Sequence, residues 1–179
     1  MSVDKSELAY HGKPQSRYCF ELLSSICPKV YISNRREQES NPGHDELPQI
    51  PDHLEYIGRG PLTGILSAMK EYPSVAWLVL ACDLPLVTIG TLKGLMINRD
   101  IYKLATAYRS VHDHLPEPLC AIYEPHGSDI LRDFFRRGLY CPRKILMNSD
   151  VKLIDLDDLA LENINTLSEY HFVKSKLIK

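Results

Sequence analysis

Asp83 closes the most apolar run of the chain, Ala76–Cys82, and Leu84-Pro85 follows it at once. A carboxylate at the end of such a run can hold a hard cation such as Mg²⁺, which in turn grips phosphate oxygens. It can equally cap a turn, or the helix that begins near Thr88. Upstream, Gly58-Arg59-Gly60-Pro61-Leu62-Thr63-Gly64 leads into a helix. Glycines allow close backbone approach, and a helix N-terminus presents free N–H groups to an anion or a base edge. The same Gly-Pro pair is also ordinary helix-start chemistry, and Arg59 is either a phosphate contact or a solvated loop cation. At the chain start, Asp4-Lys5 offers an ammonium that can neutralise charge on a leaving phosphate, or two exposed terminal charges without a role. Of His112, His114 and His126 the first two share a loop, but no third ligand stands at diagnostic spacing, so zinc is not expected. Tyr18, Phe20, Phe134 and Phe135 read as core rather than as a base-stacking platform.

The elements that must position these groups alternate between short apolar strands and amphipathic helices. Pro14 opens a helix with Tyr18, Cys19, Leu22, Leu23 and Ile26 at helical spacing, and Val30–Ile32 follows as a strand. Asn34–Pro48 is polar and broken by Pro42 and Gly43, which reads as a loop. After Gly60-Pro61, Leu62, Ile65, Leu66 and Met69 share one helical face. Ala76–Cys82 shows no polar alternation and is expected to be a strand buried on both faces, as in a parallel sheet. Thr88–Arg99 reads as a helix, and Leu104–Tyr108 and Leu119–Tyr123 as strands around a loop over His112–Pro118. Ile130, Leu131, Phe134 and Phe135 mark a helix closed by Gly138, and Pro142 opens another. Val151–Ile154 is a last strand and Leu167–Lys179 a terminal helix. Strands separated by helices imply a doubly wound, mainly parallel α/β sheet.

A chain of 179 residues suits one domain with a substantial core, here expected to span 1–179. Its 44% hydrophobic and 25% charged residues are those of a globular protein. A net charge of -2 advertises neither a nucleic-acid nor a membrane partner. No apolar run approaches the ~20 residues that span a bilayer, and MSVDKSELAY has no signal pattern. The five cysteines, Cys19, Cys27, Cys82, Cys120 and Cys141, form no CxxC pair and read as reduced core thiols. A cytoplasmic location is the expectation.

Taken in order, MSVDKSELAYHGKP, KVYISNR, GPLTGILSAM, WLVLACDLP, EPLCAIYEP and NINTLSEY resemble the molybdenum cofactor guanylyltransferases and their close nucleotidyltransferase relatives. The resemblance implies a Rossmann-like sheet of the nucleotide-diphospho-sugar transferase type. By position, Lys5 matches the lysine that approaches the nucleotide phosphates. Ser33 falls at or beside a nucleotide contact where relatives often carry asparagine, and Asp52 matches an aspartate that touches the nucleotide. Asp83 matches the magnesium-binding aspartate, making Lys5 and Asp83 the implied catalytic pair and Mg²⁺ the implied cofactor. Asn163 and Asn165 match a motif near the acceptor pocket, or serve as turn and cap residues. The implied reaction transfers GMP from GTP to molybdopterin and releases pyrophosphate. A relative using CTP, or a sugar or alditol phosphate acceptor, is the second reading. A protein partner carrying molybdopterin also belongs to the implied set.

The family signature is an N-terminal strand and glycine-rich loop, LAGGxSxRMGxDK, of which only the tail is present, as Met1–Lys5. Backbone N–H groups of that loop would cradle the triphosphate. The first central strand is therefore expected to be missing, leaving its neighbours unpaired and favouring self-association. Met1 coincides with the signature's own methionine, so the expectation is a start placed inside the motif, which in-frame codons upstream would reveal. The alternative of another class is a shortened, inactive remnant that binds a nucleotide or a partner protein.

Overall fold

The computed structural model describes residues 7–38, 44, 46–156, 160 and 161. Helix α1 spans Gln15–Ser24 and leads to strand β1, Ile32–Asn34. A 3₁₀ turn at Arg36–Gln38 precedes β2, Gln49–Pro51, and a second at Leu54–Tyr56 precedes α2, Pro61–Glu71. Then follow β3 (Trp77–Leu80), α3 (Ile89–Ile97), β4 (Ala105–Arg109) and β5 (Pro116–Tyr123). Helices α4 (Gly127–Arg136) and α5 (Pro142–Met147) and strand β6 (Lys152–Ile154) complete the described elements.

The strands form two separate sheets. β1 and β2 pair in parallel, with Ser33 opposite Ile50. The larger sheet has the order β3-β5-β4-β6. β5 runs antiparallel to both β3 and β4, while β4 and β6 are parallel. Strands β3, β4 and β6 therefore share one direction and β5 alone is reversed, which makes the sheet mainly parallel, as expected.

Helices cover both faces because the central strands are apolar on both. On one side, Leu62, Ile65, Leu66 and Met69 of α2 pack with Leu131, Ile145 and Leu146 against Ala105, Ala107, Ala121 and Tyr123. On the other, Leu92 and Leu95 of α3 and Leu22 and Leu23 of α1 meet Tyr108, Cys120 and Ile122. The two-residue alternation along β4 and β5 sorts these side chains. Each fully buried leucine or isoleucine contributes about 1.5–3 kcal/mol. Helix α3 begins with a reciprocal Thr88–Thr91 capping box. Gly94 lets that helix approach β4: a Cβ there would strike the Tyr108 hydroxyl, which donates to the Thr91 carbonyl at 2.7 Å.

Several expectations are corrected. The first strand begins at Ile32 rather than Val30, and Gln49–Pro51, unassigned from sequence, is a strand. β5 starts at Pro116, so part of the expected His112–Pro118 loop belongs to the sheet, where Pro116 faces Arg109 across a register shift. β3 is only half-buried throughout, because it lies at the edge of its sheet instead of within it. Cys19 and Cys120 are core thiols, but Cys27 and Cys82 are half-buried and Cys141 is exposed. The expected terminal helix over Leu167–Lys179 lies outside the described residues.

Candidate functional site

The carboxyl ends of β1, β2 and β3 open on one cavity of about 890 Å³. Parallel pairing brings the first two ends together, since the Asp52 amide donates to the Asn34 carbonyl at 2.9 Å. The buried Asn34 side chain donates through Nδ2 to Gln49 Oε1, and Gln49 Nε2 donates to the His44 carbonyl at 2.8 Å. This fixes the backbone from which Arg35 and Asp52 project.

β3 delivers the chain to a turn at Cys82-Asp83, and the Pro85 carbonyl just beyond pairs with His11 Nε2 at 2.9 Å. The His11 ring stacks on Tyr18 of α1 with centroids 3.6 Å apart and planes 9° from parallel. The loop carrying Asp83 is thus fastened to α1 through one histidine.

The entry to α2 closes another side. Gly58 and Gly60 have φ of 79° and 61°, a region that suits glycine. Thr63 locks this loop: its Oγ1 donates to the Tyr56 carbonyl at 2.6 Å and accepts from the Arg59 amide at 3.2 Å. Arg59 does not turn into the cavity; its guanidinium lies over the Tyr140 ring at 4.3 Å from the centroid. Gly64 is needed for close packing, because the Ser33 hydroxyl occupies the space a Cβ would take.

Burial pushes the Asp52 carboxyl above the usual aspartate range; Arg35 pulls it down and Glu37 pushes it further up. Burial likewise lifts the Cys19 thiol to about 12, helped by Cys82 and opposed by a hydrogen bond from Gln15, with Asp83 a further upward influence. Cys19 is therefore an inert neighbour of Asp83 rather than a nucleophile. Glu117 at the start of β5 is also raised, by burial first, against the Leu119 amide and Arg143. Arg143 Nη2 donates to Glu117 at 2.8 Å and Nη1 to Asp113 at 3.1 Å. Glu117 lies close enough to Asp83 for the two charges to interact.

Of the residues expected from sequence, Ser33, Asp52 and Asp83 line the same cavity. Lys5, Asn163 and Asn165 lie outside the described residues. Asn34, Arg35 and Glu117 were not anticipated. Asn34-Arg35 could have been suspected from its place at the end of a strand; Glu117 gives no local signal, because its nearness to Asp83 is created by β3–β5 pairing.

Comparison with known proteins adds four findings. The model of the MobA-like NTP transferase domain matches residues 1–149. The molybdenum cofactor biosynthesis bifunctional protein of Synechocystis sp. is 34% identical over 171 residues, covering 95% of this chain and 49% of that protein. The chain thus spans about half the length of that relative. A probable molybdenum cofactor guanylyltransferase of Bacillus velezensis is 28% identical over 147 residues, covering 79% of this chain and 68% of the relative. The structure of molybdopterin-guanine dinucleotide biosynthesis protein A from Archaeoglobus fulgidus superposes with a TM-score of 0.77 at 21% identity, covering 98% of this chain and 91% of that one. At that identity the superposition speaks for the fold.

Proposed function

Because this chain belongs to the MobA-like NTP transferase family, we propose that it transfers GMP from GTP to molybdopterin and releases pyrophosphate. The convergence of Ser33, Asp52 and Asp83 on one cavity at the strand carboxyl ends carries this reading. Open α/β sheets bind ligands at that edge. The naming of its relatives for molybdenum cofactor biosynthesis and guanylyl transfer supports the choice of substrates.

In the reaction, a phosphate oxygen of the acceptor bonds to the α-phosphorus of GTP. The bond to the bridging oxygen breaks, and pyrophosphate leaves with that electron pair. The donor suits a magnesium ion, since the half-buried Asp83 offers hard oxygen. Magnesium typically takes one or two carboxylates and completes its shell from water and phosphate. When bound it would neutralise charge on the phosphate oxygens. Asp83 holds the phosphate end of the site through its position after β3. Asp52 and Ser33 supply polar contacts for the nucleotide, and Arg35 places a cation beside them. The resemblance assigns Lys5 to the pyrophosphate side of the reaction, and Asn163 and Asn165 to the acceptor. A cytoplasmic setting and a partner delivering molybdopterin belong to the same proposal.

Pyrophosphate release from GTP in the presence of molybdopterin and magnesium tests it. Asp83→Asn is expected to lower the rate at least about a hundredfold, the scale on which losing a charge-stabilising group acts. Equal rates with all four nucleoside triphosphates, or an unimpaired Asp83→Asn enzyme, would sink the assignment.

A further inference from the structure

The hydrogen bonds that join His44, Gln49 and Asn34 can be read in one direction only. The His44 carbonyl accepts and cannot donate, so Gln49 has to offer it the Nε2 end of its amide, and does so at 2.8 Å. That turns Gln49 Oε1 to Asn34, and Asn34 answers with Nδ2. A backbone group that cannot flip thus sets the orientation of both side-chain amides. Reversing either one would place oxygen against oxygen or nitrogen against nitrogen.

Asn34 lines the cavity, whereas Gln49 stands outside the lining. With Nδ2 committed to Gln49, the end of the Asn34 amide left for a cavity ligand is Oδ1. That oxygen is buried without a hydrogen-bond partner among the described residues, and Asn34 as a whole is only 6% exposed. A buried acceptor without a donor is costly, and a site that holds one discriminates in favour of a ligand that supplies the donor. Turned the other way, the same side chain would select a carbonyl oxygen or an unprotonated ring nitrogen. The family resemblance puts an asparagine contact at or beside Ser33, but it assigns nothing to Gln49.

We propose that Gln49 is a positioning residue for nucleotide selection. By fixing the Asn34 amide with Oδ1 as its free end, it makes the site require an O–H or N–H donor on the nucleoside. This rests on the reading of the cavity as the GTP site. A ribose hydroxyl and the N1–H or 2-amino group of guanine carry that chemistry alike.

Calorimetry on the full chain compares GTP with 2′-deoxy-GTP, 3′-deoxy-GTP, N1-methyl-GTP and ITP, which lacks the 2-amino group. In the native protein at least one analogue is expected to bind about tenfold or more weakly than GTP, and its missing group names the donor. Gln49→Met fills similar space without an amide, which frees Asn34 to turn either end to the ligand. The preference for GTP over that analogue should then fall to within about twofold. Gln49→Glu still presents an oxygen to Asn34 Nδ2 and should retain the preference. A preference that survives Gln49→Met overturns the proposal. So does one that disappears in both variants, since the position would then act through packing alone. Equal affinity of the native protein for GTP and every analogue overturns it too, while leaving the GTP site standing; a native protein that binds none of them overturns both.

Discussion

Burial at the end of β2 lifts the Asp52 carboxyl above its ordinary range, and Arg35 only partly offsets it. A raised folded-state value means that the native protein holds this proton more tightly than the unfolded chain. Stability therefore falls as pH rises from the ordinary aspartate value through the raised one, and the penalty is complete above both. Asp52→Asn is expected to raise Tm by about 1–3 °C at pH 7. The difference should disappear near pH 3, where both states carry the proton; a gain that persists there would contradict the desolvation account. The same variant should bind GTP more weakly in calorimetry, setting stability against function at a single atom. At this scale the sequence was unevenly readable. Asp83 stood out because a continuous apolar run has to end near the sheet's edge. Asp52 was identified only through its family resemblance. Arg35 could have been suspected from its place just past a strand, whereas Glu117 depends on which strands become neighbours, and no local pattern encodes that.

Among the elements, the seam between α3 and β4 has the least room. Gly94 and the Tyr108 hydroxyl occupy adjoining space, and that hydroxyl is held by the Thr91 carbonyl. Gly94→Ala in the native background should lower stability by about 1–2 kcal/mol, through loss of a buried hydrogen bond and displacement of the ring. In a Tyr108→Phe background the obstacle is gone. There the better helix propensity of alanine should make the same change neutral or stabilising, by up to about 1 kcal/mol. Urea denaturation of the four proteins in this cycle checks the reversal of sign. The helices were legible because each carries an apolar stripe and a start signal, such as Pro61 for α2 and Thr88 for α3. β2 was not, since three residues ending in proline show no period. The prolines of β5 disguised a strand start for a related reason: Pro116 sits where the ladder with β4 changes register.

At the scale of the molecule, the small sheet and the large one have different support. β4 and β5 lie between two packed helical layers, whereas β1 and β2 rest mainly on α2. Native-state exchange in low urea should show Ile32–Asn34 and Gln49–Pro51 opening in a separate step of smaller urea dependence than Ala105–Arg109 and Pro116–Tyr123. A single common opening for both groups would argue for one cooperative unit. The α/β class followed from the alternation of strands and helices. The unpaired neighbours of a central strand followed only from the family resemblance, because continuous apolarity in Ala76–Cys82 describes what a strand can tolerate on its faces and says nothing of whether both edges are paired.

Trp77 gives that division an optical consequence. It is the only tryptophan of the chain, it sits on the strand that borders the cavity, and its indole Nε1 is buried without a hydrogen-bond partner among the described residues. Its ring lies 6.0 Å from that of Tyr31, which immediately precedes β1, and 6.1 Å from that of Tyr72. Light absorbed by either tyrosine should reach the indole by resonance transfer. At these separations transfer is nearly complete, so a fall in the ratio of tyrosine-excited to tryptophan-excited emission reports a large parting of Tyr31 and Tyr72 from β3 in unlabelled protein.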